Sequence, residues 1–173
     1  MRLIVSIVLG WLVLLTPQCL AAPGAAAPIS GFDWPLRPRP AVVRAFDKPE
    51  RDWLPGHRGV DLGGSPGQQV LAAGDGTVAF AGIVAGKPVL SIDHTGGLRT
   101  TYEPVKSSLP LGRRVIRGMP IGELQSGHDR CPVSACLHWG LRRGHDYLDP
   151  LGLVRHGPIR LQPLASQSLP GVG

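Results

Sequence analysis

Turn signals interrupt this chain about every eight to twelve residues, and that spacing excludes most folds. Its 173 residues include 24 glycines and 18 prolines, residue types that end helices and punctuate turns. No segment of useful length carries apolar residues at helical spacing. The hydrophobic share of 43% is enough for an aliphatic core, which argues against disorder throughout. The length fits one domain. The expected class is therefore all-β, a sandwich or barrel of short strands with little helix. The strand-like runs are "AVVRAF" (41–46), three runs within residues 68–94, "GLRTTYEPV" (97–105), two short runs around Gly118, and "CLHWGLRR" (136–143). Gly-Asp-Gly and Gly-Lys-Pro separate the three runs of 68–94 and read as hairpin signals. There is no internal repeat.

The first residues follow a different pattern. After Met1 and Arg2, Leu3 to Leu15 carry no charge, and Pro17 and the small-residue stretch "AAPGAAAP" follow. This predicts a secretory signal peptide over 1–27, cleaved between 22 and 27. The run is short for a membrane span, and an uncleaved membrane anchor is the alternative. Cys19 follows Thr-Pro-Gln and does not resemble a lipidation site. Residues 28–40 read as a Pro-rich linker with Trp34 as its docking residue, 41–157 as the domain, and 158–173 as a loose tail.

Loss of the leader removes one Arg, so 17 basic and 12 acidic residues remain, a net charge of +5. An exported basic protein is drawn to anionic surfaces such as a bacterial wall. The location expected is secreted and cell wall-associated. No run of Lys or Arg alternates with aromatics, so no nucleic-acid partner is expected. After cleavage no membrane partner is expected either, and the chain is expected to be a monomer. Cys131 and Cys136 then form an even pair in "CPVSAC". In an oxidising compartment such a pair predicts a disulfide that closes a tight loop ahead of His138.

The strongest chemical signal is "LPGHRGVDLGG". His57 and Asp61 are four apart, but Gly56, Gly59, Gly63 and Gly64 argue against a helix, so a bent backbone entering a strand must bring the two together. Imidazole and carboxylate are ordinary Zn²⁺ ligands. Two neutral His and one Asp leave the ion at net +1, which keeps it a useful Lewis acid. A third ligand is needed, and His138 is the candidate. On an alternating strand it shares a face with Cys136 and Gly140, opposite Leu137, Trp139 and Leu141. By itself a His-x-x-x-Asp pair is most often a surface hydrogen bond, and His138 alone reads equally as ligand, base or polar surface residue. A rival grouping of His128, Cys131, Cys136 and His138 would make a closed structural zinc site, but export favours the disulfide over free thiolates.

The stretches "GHRGVDL", "VLAAGDGTVAFAG", "VLSIDHTGGLRTTY" and "LHWGL", in that order and spacing, resemble the lysostaphin/LytM-type zinc metallopeptidases of bacterial cell walls. The resemblance covers about Ala41 to Leu153, and "CLHWGL" looks like the form in secreted actinobacterial members. It implies a compact, mostly antiparallel β structure with a groove. It also implies Zn²⁺ held by His57, Asp61 and His138, and hydrolysis of peptide bonds in peptidoglycan by a metal-polarised water. The family has two further histidines that are not ligands. Where it has the first His of His-x-His this chain has Cys136, and where it has the His of Tyr-x-His this chain has Pro104. Neither replacement can carry a proton if Cys136 is in a disulfide. The candidates to stand in are His128, from the loop before the disulfide, and Glu103. On a strand Glu103 points away from the face used by position 104, unless the proline bends the chain. His94 reads as a turn residue, and His145 and His156 are assigned no role. Arg142 and Arg143 read as a solvated face, with contact to an anionic substrate as the alternative. The expected function is a secreted zinc metalloendopeptidase acting on peptidoglycan peptides. The alternative is an impaired domain of the same fold that binds wall peptides or regulates another hydrolase.

Overall fold

A computed structural model describes residues 31–154 apart from 52 and 129. The expected signal peptide, the tail and His156 lie outside the described residues. Among the described residues, no helix is long and apolar enough to cross a membrane.

The chain is all-β. Its strands are β1 (Val42–Arg44), β2 (Gly59–Gly64), β3 (Gln69–Leu71), β4 (Gly76–Val84), β5 (Lys87–Asp93), β6 (Leu98–Glu103), β7 (Val105–Lys106), β8 (Arg114–Val115), β9 (Pro120–Leu124), β10 (Ala135–Arg143) and β11 (Asp146–Leu148). Two short 3₁₀ turns, Thr95–Gly97 and Pro150–Leu153, are the only helical elements among the described residues. A large antiparallel sheet runs β1-β2-β10-β6-β5-β4-β8, with β11 paired to the end of β10. A small sheet runs β3-β9-β7.

The central strands of the large sheet alternate because one face is dry and the other wet. Leu137, Trp139 and Leu141 of β10 point to the core with Val60 and Leu62 of β2, Thr100 and Tyr102 of β6, and Leu90 and Ile92 of β5. One hydrophobic cluster joins most of these to Val70, Val105, Ile121 and Leu124 of the small sheet. The opposite face is left to small and polar residues, and it carries the site. The β4–β5 hairpin turns through Ala85 and Gly86, both at positive φ (48° and 80°), the backbone a two-residue type I′ loop needs.

Three expectations need correction. Gly74-Asp75-Gly76 is not a hairpin turn: β3 pairs with β9, and the tripeptide crosses from the small sheet to β4. Its glycines are needed for close approach. A Cβ on Gly74 would meet the Phe32 ring at 2.7 Å, and one on Gly76 would meet the Asp93 carbonyl at 2.3 Å. The run "GLRTTYEPV" is two strands, because Pro104 ends β6 and β7 joins the other sheet. The segment read as a linker is packed on the domain. Leu36 is wholly buried in the core, with Phe32 and Trp34 packed against it, and Trp34 lies 6.5 Å from Trp139. Its prolines signal an extended chain, but extended chain that buries apolar side chains is part of the fold. β11 carries no distinctive sequence signal and is not among the expected strands.

Candidate metal centre

The register of the large sheet builds the site. Arg44 lies opposite Asp61, Asp61 opposite His138, and His138 opposite Glu103, on four adjacent strands. Directly opposed residues project from the same face, so these four side chains form one row across the groove. His57 arrives from outside the sheet. Its backbone pairs with Asp47 through bonds of 2.7 and 2.9 Å, and its Nδ1–H donates to the Ala45 carbonyl at 2.7 Å. The chain just after β1 therefore fixes both the backbone and the ring of His57.

Three polar atoms converge. Asp61 Oδ1 lies 3.0 Å from His57 Nε2 and 2.9 Å from His138 Nδ1, and the two nitrogens are 3.1 Å apart. His57 and Asp61 are 5% and 2% exposed, so water is largely excluded. Burial raises the Asp61 carboxyl, but the bond from His138 and the charges of His128, His57 and His138 outweigh it and leave the group below the ordinary carboxylate range. Because Nδ1 of His57 must carry hydrogen to satisfy a carbonyl, the neutral ring presents a lone pair at Nε2. That lone pair faces a carboxylate oxygen that also only accepts.

His128 sits beside this trio. Its ring stacks on His138 with centroids 5.9 Å apart and planes at 10°, and its Nε2 is 3.5 Å from Asp61 Oδ1. Its Nδ1 is buried without a hydrogen-bond partner. Burial pushes the imidazole below its ordinary pKa, opposed in part by the Asp61 charge. Glu103 is on the same face as His138 and 3.8 Å from Lys87 Nζ. Pro104 is buried behind it. Cys136 is joined to Cys131 in a disulfide, so the closed Cys₂His₂ site is not formed. Arg44, Arg58, Lys87 and Arg130 line the cavity around the trio with Glu103 and His128. Apart from the Arg-rich composition, nothing in the sequence points to this cationic rim, because its members come from four separate segments.

Residues 55–150 match the profile of peptidase family M23. They contain His57, Asp61, Glu103, His128 and His138. The chain belongs to peptidase family M23. The uncharacterized proteins Rv2891 of Mycobacterium tuberculosis and Mb2915 of Mycobacterium bovis are each 54% identical to it over 152 residues, covering 86% of this chain and 61% of theirs. The chain thus spans about three-fifths of the length of those relatives. Among solved structures, Csd3 of Helicobacter pylori aligns with TM-score 0.59 and 26% identity over 76% of this chain and 36% of its own. Lysostaphin aligns with TM-score 0.57 and 19% identity over 73% and 58%. The fold is that of M23 peptidases, all-β and antiparallel.

M23 peptidases are metallopeptidases, and in this M23 domain His57, Asp61 and His138 form a group with the donor set for a metal ion. The donors fit one. Tetrahedral bonds of about 2.0–2.1 Å space ligand atoms roughly 3.3 Å apart, close to the distances seen. A cation between them also resolves the clash of lone pairs at His57 Nε2 and Asp61 Oδ1. The Nδ1–H to carbonyl bond of His57 is the orienting contact that metal-bound imidazoles usually make. His94 is buried away from the site. Its Nδ1–H donates to the Asp75 carbonyl at 2.8 Å, and its Nε2 is 2.7 Å from the Thr100 hydroxyl. His145 is exposed.

Proposed function

We propose that this M23 domain is a zinc metalloendopeptidase that is exported and hydrolyses peptide bonds in peptidoglycan. One observation carries the reading: three metal-binding atoms on β2, on β10 and in the loop before β2 meet within 3.1 Å of one another. His57, Asp61 and His138 would hold Zn²⁺, which when bound supplies a Lewis acid for the scissile carbonyl and lowers the pKa of water. The chain's own residues supply the rest. His57 is anchored at its backbone and at Nδ1, and Asp61 is buried beside it, so both are placed to serve as donors. His128 Nε2 lies near enough to the trio to take and return a proton, which offsets the loss of the family imidazoles at Pro104 and Cys136. Glu103 faces the same space and is the second candidate base. Arg44, Arg58, Lys87 and Arg130 favour negative charge developing at the carbonyl oxygen. Export is supported by the sequence of residues 1–27 and by the disulfide, a bond that persists in oxidising compartments. The basic charge suits an anionic wall, and peptidoglycan peptides are the partner proposed for a monomeric enzyme.

A second reading keeps the fold and drops turnover: a domain that binds wall peptides or regulates another hydrolase. Pro104 and the disulfide-bonded Cys136, standing where the family has imidazoles, favour it. The two are separated by loading full-length protein with zinc, measuring metal content, and incubating it with purified peptidoglycan. New peptide ends that His57→Ala fails to release support the enzyme. One zinc per chain with no new ends on any wall type supports the binding domain.

A further inference from the structure

We infer that the groove running from the metal centre along β10 ends in a subsite for a carboxylate of the substrate peptide, formed around Arg142. The inference rests on the peptidase reading and adds the substrate feature recognised. Two independent observations carry it. The first is Gly140, in the middle of β10 between His138 and Arg142 and on their face. A glycine inside a strand weakens it and often marks close approach of another chain. Here packing does not require one. A Cβ on Gly140 would meet its neighbours, the Arg58 carbonyl and Thr101 Cβ, at 3.5 and 3.7 Å, ordinary contact distances. By contrast a Cβ on Gly59, its partner across the ladder, would meet the Trp139 carbonyl at 2.6 Å and the His138 ring at 2.8 Å. The floor beyond His138 is completed by the small side chains of Thr101 and Ser91. It is smooth and open, and Gly140 leaves space that folding does not use.

The second observation is the charge at the far end. Arg142 lies directly opposite Arg99, and like charges so placed disfavour the sheet. Arg99 is neutralised by two hydrogen bonds to Asp93, one of 2.8 Å. No ion pair within 4 Å is formed by Arg142 among the described residues, so two guanidiniums share one carboxylate. The Arg142 charge helps to hold the Asp93 carboxyl below its ordinary range, but the hydrogen bonds of that carboxylate go to Arg99, and the Arg142 guanidinium is left without a direct acidic partner among the described residues. Arg58 leans over the same groove, its guanidinium 5.7 Å from the Tyr147 ring, and Tyr147 lies opposite Arg142 on β11. At about 3.4 Å per residue, the Arg142 backbone is roughly 14 Å from that of His138. Allowing for the reach of an arginine, the anion recognised lies two to four residues from the bond cleaved. The substrate class is therefore a peptide with a free carboxylate on one side of the scissile bond, and masking that carboxylate as an amide removes the contact.

The test is a binding measurement that needs no turnover. The probes are a peptidoglycan stem tetrapeptide with free carboxylates and the same peptide with every carboxylate amidated. Each is titrated by calorimetry into full-length zinc-loaded protein and into Arg142→Gln and Arg142→Lys. The expected result is a preference for the free acid of about tenfold or more in the unaltered protein, the usual size of a charge-assisted bond. Arg142→Gln should reduce that preference to within twofold, and Arg142→Lys should keep part of it. Gly140→Val should weaken both probes alike by filling the floor. Equal binding of the two probes by the unaltered protein, no binding of either, or a preference that survives Arg142→Gln overturns the subsite. Failure of the peptidase reading looks different: the carboxylate preference remains while no peptide ends are released.

Discussion

His57 is held by its own backbone as well as by its ring, and this sets apart two classes of substitution at the site. On the proposed function, replacing a donor is expected to remove metal and replacing a neighbour to slow turnover. His57→Ala is expected to lower bound zinc from about one per chain to near none by elemental analysis, because two remaining protein ligands fall short of the three found in catalytic zinc sites. His128→Ala is expected to keep zinc and lower kcat on wall peptides by about 10² to 10⁴, the range for a lost proton-transfer group. An unchanged kcat would remove His128 from the chemistry. Gly59→Ala tests the packing behind both. Its Cβ has no room between the Trp139 carbonyl and the His138 ring, so β2 or β10 must shift. A loss of about 1–3 kcal/mol in urea unfolding is expected, together with weaker zinc binding.

The crossing between the two sheets has its own polar bracing. Ala73 N–H donates to the Tyr102 hydroxyl at 3.0 Å, Tyr102 and Thr100 hydroxyls are 2.9 Å apart, and Thr100 meets His94, which donates to Asp75. Burial holds the Tyr102 phenol protonated, its pKa pushed up to about 12. Burial also depresses the His94 imidazole, more than its bond to Asp75 and the charges of Asp93 and Asp75 raise it. The sign follows from linkage. Below about pH 6.5 the unfolded chain takes up a proton that folded His94 resists, so stability is full above that pH and declines as pH falls. Urea midpoints measured from pH 7.5 to pH 5 should therefore drop in the unaltered protein and drop less in His94→Gln. Equal slopes would show that His94 titrates alike in both states. The turn role expected of His94 understates it, because Thr100 and Asp75 reach it only once β4, β5 and β6 are paired.

At the level of the whole molecule, the segment before β1 belongs to the core. Leu36→Ala is expected to cost about 2–5 kcal/mol by thermal or urea unfolding, the range for a buried leucine. A true linker residue would cost almost nothing. Period-two alternation in "CLHWGL" and the glycines around His57 make the class, β10 and the approach to the site legible in the amino-acid sequence, since those signals are local. The pairing of β3 with β9, the strand break at Pro104 and the burial of Leu36 are not legible there. Each depends on residues far apart along the chain, and Gly-Asp-Gly looks the same whether it turns a hairpin or lets two chains touch. The position of Glu103 is open in the sequence for the same reason: only the register with His138 decides which face it uses. The proposed activity depends on where one ion binds. A crystal of the full-length protein grown with zinc, with data collected at the zinc absorption edge, locates it directly. One strong anomalous peak is expected about 2.0–2.2 Å from His57 Nε2, Asp61 Oδ1 and His138 Nδ1 together. A peak on other residues, or none at this trio with zinc in excess, would contradict it.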